Sequence, residues 1–382
     1  VGAVTGGHIV PAPGARVVVA GGGTAGHIEP AMNLADALRR EDPTVQVTAL
    51  GTAKGLDSTL IPARGYPLEL VPPVPLPRKL NRDLFATPGK VRVAVRAAGD
   101  VLDRVGAEIV VGFGGYVAVP AYLAARERKL PIVVHEANAK PGLANRAAAR
   151  MTTHVFTASP RAKLPHADLI GIPLRPAISD LDRPALRAQA RARFGLDADR
   201  PTLLVFGGSQ GARSINWAVS QSVDGLRAAG VQVLHVIGQK NILEVPAVAG
   251  EAPYVVVPYV AEMQYAYAAA DFALCRCGAM TCAELAAVGL PAIYVPYPVG
   301  NGEQRFNAEP IVNAGGGVLV DDEDLTPQWV LANVVPRITD ERVVSAMSRA
   351  AEHAGSRHAD RVLAQHVLTV VAEHRRFAGG TQ

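Results

Sequence analysis

This sequence predicts an α/β chain built from two doubly wound parallel-sheet units in tandem. Three observations carry that expectation. Short β-branched runs alternate with Ala/Leu/Arg-rich helical stretches; the alternation pauses once, around Gly171–Pro176, and restarts; and each half opens with a strand running into a glycine turn and a helix, at Val17–Thr24 and Leu203–Gln210. A length of 382 residues suits two domains, and a chain of that size buries enough surface to need neither disulfides nor metals for its core.

In the first half, Arg16–Ala20, Val45–Leu50, Ile109–Val111, Ile132–His135 and His154–Thr157 read as buried strands. The helices between them are Ala31–Arg40, Lys90–Val105, Val119–Arg128 and Leu143–Arg150. The second half places strands at Thr202–Phe206, Val231–Ile237, Tyr254–Val257, Phe272–Cys275, Ala292–Val295 and Gly317–Val320. The expected domains are 16–175 and 176–356, with a last helix of about 357–378 packing back and 1–15 as a flexible leader. Two such units make the crevice beyond their carboxyl strand ends the expected ligand site.

Composition narrows the function classes. With 49% hydrophobic and 19% charged residues the chain is globular rather than disordered. Three close cysteines (Cys275, Cys277, Cys282) are no secreted disulfide framework, and without a nearby His they make a poor zinc site. A net charge of +4 is too small to argue for nucleic acid. No basic segment followed by an apolar core opens the sequence, and the long uncharged stretches Ile109–Ala125 and Leu285–Gly302 are broken by Gly and Pro. No membrane span is expected, and cytosolic residence is the default.

Gly21-Gly-Gly-Thr-Ala-Gly26 matches G-x-G-x-x-G between a strand and a helix. The dinucleotide fingerprint also asks for an acid about 20 residues on, at the end of the second strand. That strand ends Ala49-Leu-Gly-Thr52, so a nicotinamide cofactor loses its second support. The loop can still bring backbone N–H groups to an anion or a sugar at a helix N-terminus. His27 follows at once, and Glu29-Pro30 suits a first helical turn.

Further segments align with one family: Gly22-Gly-Thr-Ala-Gly-His27, Gly112-Phe-Gly-Gly-Tyr-Val117, His135-Glu-Ala-Asn138, Gly207-Gly-Ser-Gln-Gly-Ala212, Cys275-Arg-Cys-Gly-Ala-Met-Thr281 with Glu284, and Gly302-Glu-Gln-Arg-Phe-Asn307. In order, from about Arg16 to Val370, the chain resembles the bacterial peptidoglycan glycosyltransferases that add N-acetylglucosamine to the lipid-linked muramyl-pentapeptide lipid I, making lipid II. The resemblance implies a GT-B fold, two Rossmann-like domains separated by a cleft. It implies an acceptor diphosphate cradled by the Gly22–Gly26 and Gly112–Gly115 turns, and a donor, UDP-N-acetylglucosamine, on the C-terminal domain. Ser209 and the helix start Ala279-Met280-Thr281-Cys282-Ala283 would then serve the donor diphosphate, and Glu284 the ribose diol. The backbone of Val260 would read uracil, Asn138 and Gln304 the sugar hydroxyls, and Arg175 the donor at the hinge. Thr24, Ala25 and Gly26 would line the site opposite the anomeric carbon.

The family inverts, so a base must sit near the muramyl 4-hydroxyl. His27 is the candidate, because imidazole titrates near neutrality; His135 and Glu136 are the alternatives. No Asp-x-Asp pair stands ready to hold a metal, so neither a metal nor a cofactor is expected to be essential. The sequence departs from the family at Ala25 (often Gly), Cys277 (usually Ser or Ala) and Glu303-Gln304 (paired glutamines), the last leaving one sugar contact open. Arg78, Lys79, Arg82, Lys90, Arg92 and Arg96 interleave with Leu76, Leu80, Leu84 and Phe85, a composition suited to an anionic membrane surface. With the resemblance, this implies a peripheral enzyme on the cytoplasmic face of the plasma membrane, with cell-wall and division proteins as partners. Two rivals remain: a related UDP-sugar transferase or epimerase, and a non-catalytic nucleotide-binding scaffold.

Overall fold

A computed structural model of the protein describes residues 14–53, 55–73, 83–208, 210–299 and 302–379, with only the backbone path at 83–88 and 379. Residues 1–13 of the expected leader, Ser209, and Leu76, Arg78, Lys79, Leu80 and Arg82 lie outside the described residues.

Strands β1 (Arg16–Gly21), β2 (Gln46–Gly51), β3 (Leu68–Leu70), β4 (Ile109–Gly114), β5 (Ile132–Glu136), β6 (His154–Thr157) and β7 (Ala167–Leu169) form one seven-stranded sheet, ordered β3-β2-β1-β4-β5-β6-β7. Helices α1 (Ala25–Glu41), α2 (Asp57–Ala63), α3 (Asp83–Arg104), α4 (Ala118–Glu127) and α5 (Leu143–Ala148) connect them. Val17–Ala20 and Ile109–Val111 are at most 1% exposed. A parallel strand covered on both faces needs an unbroken apolar run, which is why these segments were legible. The edge strands β3 and β7 escaped the sequence. Each has only three residues, and Leu70 and Leu169 stand more than half exposed, so neither carries a period.

After α6 (Pro176–Ser179) and α7 (Arg183–Phe194) the second sheet begins. Strands β8 (Thr202–Phe206), β9 (Gln232–Val236), β10 (Tyr254–Val257), β11 (Phe272–Arg276), β12 (Ala292–Val295) and β13 (Gly317–Leu319) are ordered β10-β9-β8-β11-β12-β13. Its helices are α8 (Arg213–Ser220), α9 (Val223–Ala228), α10 (Met263–Ala269), α11 (Ala279–Ala287), α12 (Glu303–Asn313), α13 (Pro327–Ile338) and α14 (Glu341–Ala354). Strand alternation sorts the core. Leu203 and Val205 join Ile215, Val330 and Val334 on one face, while Leu204 and Phe206 join Ala266, Ala269 and Leu285 on the other.

Packing divides the chain into Val1–Val134 with Leu363–Gln382, and His135–Val362; the division falls inside β5, while the first sheet continues to β7. The last helix, α15 (Ala359–Gly379), is held in the first unit by side chains. Arg375 donates to both oxygens of Glu108, at 2.6 and 2.8 Å, and Gln365 donates to Glu41 at 3.0 Å.

Candidate active site

In each sheet the strand order reverses once, between β1 and β4 and between β8 and β11. The loops at the carboxyl ends of those strands diverge there, which makes the reversal point the ligand-binding crevice of an open parallel sheet. Both glycine turns found in the sequence sit at these points.

After β1, Gly23 takes φ +91° and Thr24 leads into α1 without a side-chain cap. The turn rests on Asp57, whose carboxylate is fully buried at the start of α2. Oδ1 accepts the Gly23 N–H at 2.9 Å, and Oδ2 accepts the Thr52 N–H at 2.9 Å and its hydroxyl at 3.0 Å. Glycine at position 22 permits this approach, since a Cβ there would stand 3.2 Å from both carboxylate oxygens. The expected anion cradle is therefore corrected at one position: the Gly23 N–H is already committed to Asp57. Thr24, Ala25 and Gly26 are exposed at the head of α1, where first-turn N–H groups lack an intrahelical acceptor. His27 follows, half-buried, and its buried Nδ1 has no partner among the described residues. The loop after β4 packs against the same turn. Gly114 and Gly115 have φ of +91° and +82°, and a Cβ on Gly115 would come within 2.4 Å of the Gly22 carbonyl.

The alternative bases have other occupations. His135 is fully buried, with Nε2 2.8 Å from the Gly171 carbonyl, and burial pushes its pKa down to about 4. Glu136, 2% exposed, accepts from the backbone N–H of Asn138 at 2.9 Å and of Gly142 at 3.0 Å, and from the amides of Asn145 and Asn138 at 3.0 and 3.3 Å. The Glu136 side chain orders the loop that presents Asn138, which is half-buried, whereas the His135 ring ties β5 to Gly171.

At the second reversal point, Gly208 and Gly211 take φ of +98° and +73°. A Cβ on Gly211 would lie 1.9 Å from the Ile237 carbonyl, so only glycine fits. Here the support has the opposite polarity to Asp57. The Asn241 amide donates to the carbonyls of Gln210 and Ile237, at 3.0 and 2.9 Å, and so draws on no N–H group of the turn. Helix α11 starts from Gly278 without a side-chain cap, and Ala279, Met280 and Thr281 are half-buried in its first turn. Cys282 is buried in the core and Ala283 packs on the same core; the Cys282 N–H donates to the Gly278 carbonyl at 3.0 Å, so the open N–H groups of this turn are those of Ala279, Met280 and Thr281. Glu284 is 7% exposed; its Oε2 accepts the Tyr267 hydroxyl at 2.7 Å, and Oε1 lies 3.9 Å from Arg175. Val260 follows β10, partly buried against the core. Gln304, in the first turn of α12, accepts the Tyr297 N–H at 3.0 Å.

One residue of this region went unread. Arg276 ends β11 and joins three loops: it donates to the Ser214 hydroxyl at 3.0 Å, to the Pro296 carbonyl at 3.1 Å and to the Asp322 carboxylate. Its signal was a lone charge inside the apolar run Phe272–Cys277. The neighbouring Asp321 pairs with Arg305, so Asp321 and Asp322 both face arginines. The three cysteines are free and buried, and burial pushes the Cys277 thiol up to about 12. Among the described residues no group of three or more His, Cys, Asp or Glu is placed to hold a metal.

Two parallel sheets of this order, two Rossmann-like domains in one chain, match the fold of the GT-B glycosyltransferases. The glycosyltransferase family 28 N-terminal domain matches residues 17–157 and the family 28 C-terminal domain residues 202–365; the chain belongs to this family. It is 60% identical over 354 residues to the UDP-N-acetylglucosamine–N-acetylmuramyl-(pentapeptide) pyrophosphoryl-undecaprenol N-acetylglucosamine transferase of Saccharopolyspora erythraea, covering 93% of this chain and 94% of that one. The transferase of the same name from Streptomyces avermitilis is 57% identical over 362 residues, covering 94% of this chain and all of its own. The crystal structure of Acinetobacter baumannii MurG superposes with a TM-score of 0.74 at 26% identity, over 94% of this chain and 100% of that one.

Proposed function

We propose that this chain transfers N-acetylglucosamine from UDP-N-acetylglucosamine to the muramyl 4-hydroxyl of undecaprenyl-pyrophosphoryl-N-acetylmuramyl-pentapeptide, lipid I, and so forms the β-1,4 linkage of lipid II. The observation that carries this is near-full-length identity of 57–60% to transferases named for that reaction. The geometry supports it: a glycine turn stands at the reversal point of each sheet, beside an uncapped helix start.

The reaction is a single displacement. The acceptor oxygen bonds to C1 of the sugar from the face opposite the phosphate, the C1–O bond breaks, and UDP leaves with the electron pair. The hydroxyl proton passes to His27, which stands at the exposed head of α1 beside Thr24, Ala25 and Gly26. Ser209 and the open N–H groups of Ala279, Met280 and Thr281 at the N-terminus of α11 stabilise the charge developing on the diphosphate, with the helix dipole behind them and Cys282 and Ala283 completing the turn. Glu284 accepts from the ribose hydroxyls, oriented by Tyr267. The backbone of Val260 reads uracil, Arg175 holds the donor, and Asn138 and Gln304 hold sugar hydroxyls.

The enzyme acts as a peripheral protein at the cytoplasmic membrane surface, where the acceptor resides. Lys90, Arg92, Val93 and Arg96 are exposed along α3, a basic and apolar face matched to anionic lipid. No described helix is long and apolar enough to cross a membrane. Cell-wall and division proteins are the partners this placement favours. Incubation with labelled UDP-N-acetylglucosamine and a lipid I analogue is the test. Transfer is the expected outcome; free UDP-N-acetylmannosamine would assign an epimerase, and binding without turnover a scaffold.

A further inference from the structure

We infer that Asp57 is a positioning residue of the transfer reaction, holding the Gly21–Thr24 turn so that the head of α1 and His27 meet the acceptor in one fixed geometry. The proposal rests on the function given above.

Four features carry it. The Asp57 carboxylate is fully buried, and its donors among the described residues are neutral: the N–H of Gly23 and the N–H and hydroxyl of Thr52. A buried carboxylate that makes this many backbone-directed bonds fixes the segments it joins, here the turn after β1 and the end of β2. Two glycines make room for it. A Cβ at Gly22 would sit 3.2 Å from both carboxylate oxygens, and one at Gly51 would sit 2.9 Å from the Asp57 Cβ. The loop leading into α2 closes on the same turn: Gly55 takes φ +104°, and a Cβ there would come 3.0 Å from the Gly23 carbonyl. Finally, Thr24 offers α1 no side-chain cap, so the bond to Gly23 anchors the turn on the strand side of His27, while Arg64, donating to Glu29 at 3.1 Å, anchors the helix beyond it. The carboxylate does not touch substrate; it sets where the exposed groups after it stand.

The test is steady-state kinetics of the full-length enzyme with a lipid I analogue and UDP-N-acetylglucosamine, alongside calorimetric binding of UDP. Asp57→Asn replaces one acceptor oxygen by an amide that faces N–H donors. It is expected to lower kcat/KM for the acceptor at least tenfold, with UDP affinity within twofold of wild type. Gly22→Ala keeps the carboxylate but presses on it, and is expected to show the same acceptor-selective loss if Asp57→Asn does not fold. Val101→Ala, a core truncation on α3, serves as the stability control and is expected to leave the acceptor kinetics within twofold. Acceptor kinetics in both turn variants within twofold of wild type would overturn the proposal. So would a parallel loss of UDP affinity, or an equal loss in Val101→Ala, because each would mark general destabilisation. If the wild-type enzyme transfers nothing to the acceptor, the proposed function fails instead, and the two failures are separable.

Discussion

The Tyr267 hydroxyl donates to Glu284 Oε2 at 2.7 Å, with the tyrosine 1% and the glutamate 7% exposed. This bond turns a helical carboxylate into a fixed acceptor with one oxygen already engaged. A hydrogen bond to a charged group contributes about 1.5–3 kcal/mol. Tyr267→Phe is therefore expected to raise KM for UDP-N-acetylglucosamine roughly tenfold and leave acceptor KM unchanged. Donor titration at saturating acceptor checks it, and an unchanged donor KM would remove Glu284 from the ribose site.

His27→Ala is expected to lower kcat by about two to four orders of magnitude, the usual contribution of a general base, while UDP still binds. Single-turnover transfer with UDP binding measured in parallel separates the two effects. Full activity would take the role of base away from His27.

The second glycine turn depends on an amide. Asn241→Ala removes both donors that hold the Gln210 and Ile237 carbonyls. Loss of this support is expected to weaken UDP binding about tenfold, near 1.4 kcal/mol. Calorimetry with UDP alone reads it without the acceptor.

Acid should destabilise the fold through two buried imidazoles. His235, fully buried between the Tyr254 hydroxyl and the Asn216 amide oxygen, has its pKa pushed down to about 3 by burial, and His135 has its own pushed to about 4. Unfolded histidine titrates near 6.5. The unfolded chain therefore binds protons that the folded one refuses. Stability is whole above about pH 6.5 and is lost as pH falls toward 4 and then 3, by about 1.4 kcal/mol per pH unit for each histidine. Denaturant midpoints across that range check the slope, and His235→Gln should make it shallower by about one proton.

Asp321 and Asp322 face Arg305 and Arg276, and among the described residues no group of three or more His, Cys, Asp or Glu is placed to hold a divalent ion. Activity is expected to persist in EDTA, with the helix N-termini supplying the positive field. Loss of transfer that Mg²⁺ restores would refute this.

Much of the site is legible in the sequence, because a glycine turn between an apolar strand and a helix is a local pattern. Gly23, Gly208 and Gly211 do adopt the positive φ that such turns require. What stayed hidden were the residues behind the turns. Asp57 and Asn241 belong to no local motif, so nothing near them in the chain marked either one. Arg276 was one charge in a strand. Glu136 read as a possible base, whereas its bonds to positions 138, 142 and 145 make it the organiser of a loop.

By itself, the amino-acid order determined the two parallel-sheet units, the strands buried on both faces and the family to which the chain belongs. Those properties follow from periodicity and short motifs, which act over a few neighbouring residues. Only the tertiary structure decided which polar side chain supports which turn. Gly23 and Asp57 are 34 positions apart and meet because β2 lies beside β1 in the sheet. Such pairings are set by strand order, and hydrogen bonds that reach only about 3 Å then select the partner.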